Sequence, residues 1–236
     1  QELVNAVPGV LDMRRDAGLD GLVGDLDAVI IATEQDRLLP AAAGLLRYTG
    51  LSCTGVYAGR SSRTCTLSNE GSASVILQAR TQGANPFSIF NTAPAAKKLP
   101  NTRLETFVFA TPDIAEYAAI QRSRGVAFLT REPVELAGGL FIQTVPSRFT
   151  GNSLGFVQWH DGEERSYRPK GGGPELPAPT KPRYEYLTAI GKLDHAATRV
   201  RAQERNVAIL EFLALTNYHY DFAVYVRSQN SITSVA

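Results

Sequence analysis

Cysteine is scarce in this sequence, with Cys53 and Cys65 the only two among 236 residues. They could pair only if the strands that carry them lie side by side. We favour reduced, buried thiols in a cytoplasmic protein, the compartment in which disulfides are rare.

Long apolar runs and an excess of one charge are also missing. No stretch of about 18 apolar residues is present, and no basic region followed by an apolar one opens the chain, so neither a membrane span nor a signal peptide is visible. The net charge is +1, which gives no electrostatic reason to expect nucleic acid or an anionic membrane as a partner. We therefore expect a cytoplasmic protein that binds neither.

Common catalytic signatures are lacking as well. The run Gly171-Gly172-Gly173 is not followed by Lys and Ser or Thr, so it is no phosphate loop. The sequence contains no Ser-His-Asp, zinc-knuckle or dinucleotide-binding signature. The chemistry must therefore be sought in the three histidines and in internal repeats.

One short phrase occurs three times and changes each time. It reads Leu26-Asp27-Ala28, then Leu104-Glu105-Thr106, then Leu193-Asp194-His195. Each copy precedes an apolar run and a helix-like segment, which indicates a repeated module. Only the third copy carries a histidine, so it alone offers a metal ligand at this position.

The first two copies each begin a strand, a helix and three further strands. Apolar spacing and the turn signals of Gly and Pro give the bounds. In module one they predict strand 27–33, helix 38–48 and strands 51–57, 62–68 and 74–80. In module two they predict strand 104–110, a helix from 114 to about 125 and strands 127–129, 139–145 and 153–160. The predicted fold class is α+β, with tandem βαβββ modules in curved mixed sheets and flanking helices.

The segments outside these modules complete the predicted organisation. Residues 1–25 are a lead-in helix, 26–167 a pair of modules without a catalytic role, 168–190 a Pro- and Gly-rich linker, and 191–236 the start of a further domain. Within 191–236 we predict strand 191–199, helix 206–217 and strands 220–226 and 231–236. This third module is incomplete, so we expect a longer natural protein or completion by another chain.

Several segments, in this order, resemble the 4-hydroxyphenylpyruvate dioxygenase family, which includes the hydroxymandelate synthases, within the vicinal oxygen chelate superfamily of glyoxalase-like fold. They are Lys192-Leu193-Asp194-His195, the helix Ala208-Ile209-Leu210-Glu211-Phe212, the pair Asn230-Ser231, and Phe141-Ile142-Gln143-Thr144 up to Gly155-Phe156-Val157. The resemblance implies a non-haem Fe(II) oxygenase that oxidatively decarboxylates a 2-oxo acid with O2.

The resemblance also implies roles for particular residues. It assigns His195 as one Fe(II) ligand, and it places a second histidine and a glutamate beyond Ala236. Ser231, with Asn230 beside it, is carried over as a substrate-binding residue. We interpret His160 as a solvated residue of a turn and His219 as pointing outward.

The first two modules are predicted to hold no metal. Ala28 and Thr106 stand where the third phrase has its histidine, and Gln78 and Gln158 fall on the last strands, where a metal-binding module would have a carboxylate. This half is then a scaffold, with a homodimer surface as one possibility. The alternative function is a small-molecule binding or resistance protein of the same fold without catalysis.

Overall fold

The computed structural model describes residues 2–90, 102–173, 175–226 and 231–235. Its helices are α1 (Glu2–Asp16), α2 (Leu38–Tyr48), α3 (Ile114–Ser123) and α4 (Arg205–Leu215). Its strands are β1 (Leu26–Thr33), β2 (Ser52–Ala58), β3 (Ser62–Ser68), β4 (Ser74–Arg80), β5 (Arg103–Ala110), β6 (Val134–Glu135), β7 (Gly139–Gln143), β8 (Ser153–Trp159), β9 (Phe222–Val226) and β10 (Ser231–Val235).

Eight strands form one mixed sheet in the order β2-β3-β4-β1-β5-β8-β7-β6. Within each module the first and last strands are parallel, and the modules meet through the antiparallel pair β1 and β5. The two halves are therefore related by a pseudo-twofold axis between β1 and β5. This confirms the predicted α+β class with tandem βαβββ modules.

Alternating side chains divide the sheet into a helix face and a concave face. On β4, Val75 and Leu77 pack with the α2 residues Leu38 and Leu46 on the helix face. Ile76, between them, packs with Ala28 and Val108 on the concave face. The apolar residues of α2 recur four apart, as a helix lying on a sheet requires.

The repeated phrase marks equivalent backbone positions in both modules. The β1–β5 register shifts once between Leu26 and Ala28 and once at Glu105, where Ile30 pairs with Thr106 and Ile31 pairs with Leu104. Asp27 and Glu105 are thus the extra residues of two symmetry-related bulges. A bulge changes the direction of the side chain of its extra residue, here of each of these two carboxylates.

Helix α4 does not open a third sheet in the described part of the chain. The predicted strand 191–199 is extended coil, and the residues from Gly191 to Arg199 are exposed. Helix α4 lies on the helix face of module two, where Leu215 and Ala214 accept hydrogen bonds from Tyr117 and Gln121 of α3. The strands β9 and β10 form a separate antiparallel pair.

Helix α1 packs against α4 through the apolar residues Leu3, Val7 and Leu213. The guanidinium group of the buried Arg14 donates to the carbonyls of Leu213, Thr216 and Tyr218 at 3.1, 2.7 and 3.0 Å. A cation at the C-terminal end of a helix satisfies carbonyls that lack helical partners. The predicted lead-in helix is therefore shorter than 1–25 and clamps α4.

The Pro- and Gly-rich segment after β8 crosses the open side of the curled sheet. At one edge Ala137 donates to the carbonyl of Arg168, and at the other Leu176 donates to that of Val56. We call residues 166–176 the strap, of which 174 lies outside the described residues. The strap connects the two edge strands β6 and β2, and so closes the concave face.

The two cysteines lie on the adjacent strands β2 and β3. Their sulfur atoms are 3.7 Å apart, and both are free thiols. Burial and the neighbouring Cys53 raise the pKa of Cys65 to about 12. Cys65 is therefore a protonated, unreactive core thiol at neutral pH.

Candidate functional site

His195 lies on the exposed coil that follows the strap. Its side chain is 80% exposed, and its Nδ1 atom is 2.7 Å from Oδ2 of Asp194. A carboxylate on Nδ1 fixes the ring and leaves Nε2 free, which is the usual arrangement of a metal-binding histidine and its outer partner. The contact leaves Nε2 of His195 exposed, and the role of His195 as a metal ligand stays a prediction.

A complete iron site is not built by the described residues. Within them no three side chains of His, Cys, Asp or Glu lie close enough together to hold a metal. His160 is paired with Glu163 at 3.6 Å, and His219 is exposed. The described residues around His195 therefore do not complete a facial triad.

The positions in modules one and two that match His195 carry neither a carboxylate nor an imidazole. Ala28 is fully buried and has no donor atom, and Thr106 is 1% exposed. The register places Ser74 beside Ala28 and Ser153 beside Thr106. As metal ligands, neutral hydroxyl groups are poor substitutes for carboxylate or imidazole groups.

Gln78 and Gln158 do not occupy the equivalent positions that the sequence suggested. Gln78 pairs with Ala32 and is about 13 Å along the sheet from the level of Ala28, at about 3.3 Å per residue. Gln158 lies on the helix face, where its side-chain oxygen accepts from the backbone NH of Ile114 at 3.0 Å. Sequence spacing misplaced Gln158 because an offset of one residue in a strand moves a side chain to the opposite face of the sheet.

Side chains of the protein itself fill the concave face. A Cβ atom on Gly155 would lie 2.8 Å from the ring of Phe141 and 3.1 Å from the methyl group of Thr106. The apolar cluster on this face consists of Ala28, Ile30, Ile76, Val108, Leu136 and Val157, with Phe141, Trp159 and Tyr167 packed against it. The position of Thr106 is therefore closed to a ligand.

A carboxylate with two neutral donors lies at the edge of this cluster. Asp27 accepts from Nε1 of Trp159 at 2.9 Å and from the hydroxyl of Tyr167 at 2.5 Å. Burial and the charge of Asp27 raise the pKa of Tyr167 well above its ordinary value. Tyr167 is thus a neutral phenol that donates to Asp27 at physiological pH.

The equivalent carboxylate of module two has a charged partner. Glu105 is 1% exposed and accepts two hydrogen bonds from the guanidinium of Arg80, both at 2.8 Å. Arg80 is on the last strand of module one, as Trp159 is on the last strand of module two. Each bulge carboxylate therefore binds a side chain of the other module.

These two clusters are side-chain contacts that the sequence did not predict. Their signal was visible, since the second residue of the phrase is acidic in all three copies: Asp27, Glu105 and Asp194. Their partners could not be predicted, because they are distant in sequence. Trp159 is 132 residues from Asp27, and Arg80 is 25 residues from Glu105.

The proposed substrate-binding pair lies at the far end of the chain. Ser231 is the first residue of β10 and pairs with Val226, and Asn230 lies outside the described residues. The roles of Ser231 and Asn230, like that of His195, remain predictions.

A groove of the described residues lies elsewhere. It has a volume of about 660 Å³ and is lined by residues that follow α2 and by part of 181–190. Lys181 already donates to the carbonyl of Gly50 at 2.7 Å. The groove therefore adds no ligand to His195 or to the bulge carboxylates.

No helix in the described residues is long and apolar enough to cross a membrane. No protein-family model matches the chain, and no curated protein matches it significantly. Solved structures do resemble it. Methylmalonyl-CoA epimerase from Mycobacterium tuberculosis has 18% identity and a TM-score of 0.46 over 59% of this chain and 91% of its own.

Two further structures give similar values. The Streptomyces coelicolor methylmalonyl-CoA epimerase in complex with 2-nitronate-propionyl-CoA has 19% identity and a TM-score of 0.45 over 58% of this chain and 98% of its own. A hypothetical protein from Bacillus halodurans has 20% identity and a TM-score of 0.44 over 60% and 98%. The strand order and the two symmetric bulges, rather than these scores, assign the vicinal oxygen chelate fold to this chain.

Proposed function

We propose that this chain is part of a non-haem Fe(II) enzyme that oxidises a 2-oxo acid with O2, in which His195 is one iron ligand and residues 26–167 are a metal-free scaffold. The observation that carries the proposal is the contact of Nδ1 of His195 with Asp194 at 2.7 Å on an exposed side chain. When Nδ1 carries the proton, the lone pair of Nε2 is free for a metal.

The scaffold role is supported by the closed concave face. Ala28 and Thr106 are buried and lack metal-binding groups, and the strap covers the open side of the sheet. A ligand that needs metal in modules one and two has no place to bind. The alternative, a small-molecule binding or resistance protein of the same fold without catalysis, predicts no tight iron binding.

Iron bound at such a site would supply the redox centre for a chelating 2-oxo acid and for O2. The remaining ligands are, in this proposal, supplied from outside the described residues. The contribution of this chain is to hold Nε2 of His195 in one orientation through Asp194. Ser231 is proposed to donate a hydrogen bond to the carboxylate or keto oxygen of the substrate.

The test is the iron content of the protein made from its natural coding sequence and loaded anaerobically with Fe(II). We expect stoichiometric iron in the wild type, at least a tenfold weaker site in Asp194→Asn, and no site in His195→Ala, since outer partners typically contribute ten- to a hundredfold in affinity. His160→Ala is the matched control, because His160 is likewise a solvent-accessible histidine beside a carboxylate.

Oxygen consumption with a panel of 2-oxo acids then tests the activity. Uptake that requires Fe(II) and is lost in His195→Ala supports the proposal. Iron that binds equally well to His195→Ala, or no uptake by iron-loaded protein with any 2-oxo acid, contradicts it.

A further inference from the structure

The two cysteines form a pair that the proposed function does not use. The sulfur atoms of Cys53 and Cys65 are 3.7 Å apart on the antiparallel strands β2 and β3. Both side chains pack in the apolar cluster between α2 and the sheet. The sulfur atoms would have to approach by about 1.7 Å to reach the disulfide bond length of about 2.05 Å. The two thiols are therefore close enough to react with each other after small side-chain rotations.

An irregularity in β2 places Cys53 beside Cys65. The register pairs Cys53 with Leu67 and Val56 with Cys65, and it shifts between Cys53 and Gly55. Regular alternation would put residues 53 and 56 on opposite faces of the sheet. Cys53 nevertheless packs on the helix face, as Val56 and Cys65 do. The bulge thus turns the thiol of Cys53 to the face on which Cys65 lies.

The two thiols differ in their access to solvent. Cys53 is half-buried on β2, the edge strand of the sheet, between the exposed residues Ser52 and Thr54. Cys65 is 0% exposed on β3. A dissolved oxidant can therefore reach Cys53 first, whereas Cys65 can react only with a sulfur atom that already lies beside it. This is the usual division between an attacking cysteine and a resolving cysteine.

Oxidation of Cys53 would also change the chemistry of Cys65. Burial is the main reason for the raised pKa of Cys65, and the charge and the hydrogen bond of Cys53 raise this pKa further. Both contributions of Cys53 end once its sulfur is bonded to another sulfur. Cys65 is therefore inert while Cys53 is a thiol, and it loses its proton more readily after Cys53 has been oxidised.

We propose that Cys53 is a site of oxidation by a low-molecular-weight disulfide, such as glutathione disulfide, and that Cys65 resolves the product into an internal disulfide. The thiolate of Cys53 attacks one sulfur of the oxidant and releases the first glutathione thiolate. The thiolate of Cys65 then attacks the sulfur of Cys53 and displaces the second glutathione thiolate. The two protons lost by the cysteines end on the two glutathione thiols, so one disulfide is reduced while another forms.

The internal disulfide would hold the edge strand β2 on the sheet. It would join positions 12 residues apart, and so restrict both the unfolded chain and locally open states in which β2 leaves β3. A reducing compartment keeps the pair as thiols, and an oxidising one closes the bond. The pair thereby links the stability of this edge of module one to the redox state of its surroundings. His195 takes no part in this chemistry.

The first experiment treats the folded protein with glutathione disulfide and measures the intact mass after acid quenching. We expect the wild type to lose two hydrogen atoms, with its tryptic peptides 48–60 and 64–80 joined. Cys65→Ala should keep one glutathione on Cys53, because the resolving thiol is gone. Cys53→Ser is the matched control and should stay unmodified, because Cys65 is buried. An unmodified wild type, a wild type that retains glutathione, or a disulfide between two chains would overturn the proposal.

The second experiment uses the wild-type protein and does not depend on a variant that folds. It compares the hydrogen exchange of the β2 amides before and after oxidation by glutathione disulfide. We expect exchange at least tenfold slower in the oxidised protein, with the original rate restored by dithiothreitol. Unchanged exchange would contradict the locking of β2. His195→Ala should leave both results unchanged, which separates this proposal from the iron proposal.

Discussion

Modules one and two have the same strand order and the same bulge, but the carboxylates at the two bulges are held differently. Glu105 is buried against Arg80 in a charged pair, whereas Asp27 is bound by an indole and a phenol. The backbone symmetry is therefore stricter than the side-chain chemistry placed on it. Glu105 has a hydrogen-bonded cation, whereas the guanidinium of Arg165 is 4.0 Å from Asp27 on an exposed side chain.

The helices that cover the two modules also differ in number. Helix α2 covers module one through its own apolar face. Module two is covered by α3 and also by α4, whose Phe212 meets Phe107 and Phe109 at centroid distances of 6.4 and 6.1 Å. Helix α1 then adds a further layer on α4. The second module thus anchors the part of the chain that carries His195.

The largest effect is expected from breaking the charged pair. Arg80→Ala should lower the free energy of unfolding by about 3–5 kcal/mol, because the buried Glu105 loses the guanidinium that donates both of its hydrogen bonds. Denaturant unfolding measures this. Replacing both partners, Arg80→Met with Glu105→Leu, should restore most of the loss. A loss no larger than that of the exposed Arg63→Ala would contradict the account of this pair.

The next largest effect concerns the extra layer of module two. Arg14→Ala should cost about 2–3 kcal/mol, because three carbonyls at the end of α4 lose a charged donor. Arg15→Ala is the matched control, since Arg15 is 66% exposed and pairs only with surface carboxylates. Hydrogen exchange of α4 should rise in the first variant only, and equal exchange in both would show that Arg14 does not clamp α4.

The neutral pair should respond less than the charged one. Tyr167→Phe removes one hydrogen bond to a carboxylate and should cost about 1–2 kcal/mol, less than the loss in Arg80→Ala. Thermal or denaturant unfolding checks the order. If Tyr167→Phe destabilised the protein as strongly as Arg80→Ala, the two bulges would be equivalent in energy and the comparison would fail.

The smallest effect is a pH dependence at the contact of α4 with module two. Burial raises the pKa of Glu211, which accepts a hydrogen bond from Ser147. The folded state then binds the proton more tightly than the unfolded chain does, so this group lowers stability as the pH rises from the ordinary glutamate range through the raised pKa.

Glu211→Gln keeps an acceptor for Ser147 and removes the charge. The expected gain in unfolding free energy above the raised pKa is below about 1 kcal/mol, and the difference from wild type should vanish in acid. Unfolding measured at several pH values tests this. A loss of stability at neutral pH would show that the ionised carboxylate is needed.

Local sequence patterns predicted the repeated modules well. Both βαβββ units were predicted from three local features. These are the phrase with its acidic second residue, the turn glycines, and the four-residue spacing of Leu38, Ala42 and Leu46. These features depend on residues close together in the chain. The side chain of Asp113, which accepts from the NH of Glu116 at 2.8 Å, likewise starts α3 where the sequence indicated.

Features that depend on distant contacts were not predictable. The strand expected at 127–129 is reduced to a single bridge of Phe128 with Thr144. The two-residue strand β6 forms instead, through its antiparallel pairing with β7. Strand 191–199 is absent because the described residues offer it no neighbouring strand. Gln158 was placed on the wrong face because strand bounds carry an error of about one residue, which is enough to reverse a face.

The central claim is that the metal site lies at His195 and that the paired modules are a metal-free scaffold. The most direct measurement is the paramagnetic broadening of backbone NMR signals when Mn(II) replaces Fe(II) in the protein made from its natural coding sequence. The account predicts broadening around Asp194 and His195, with the signals of Ala28, Ser74, Thr106 and Ser153 unchanged. Broadening centred on those four residues instead would place the metal in the paired modules and contradict the account.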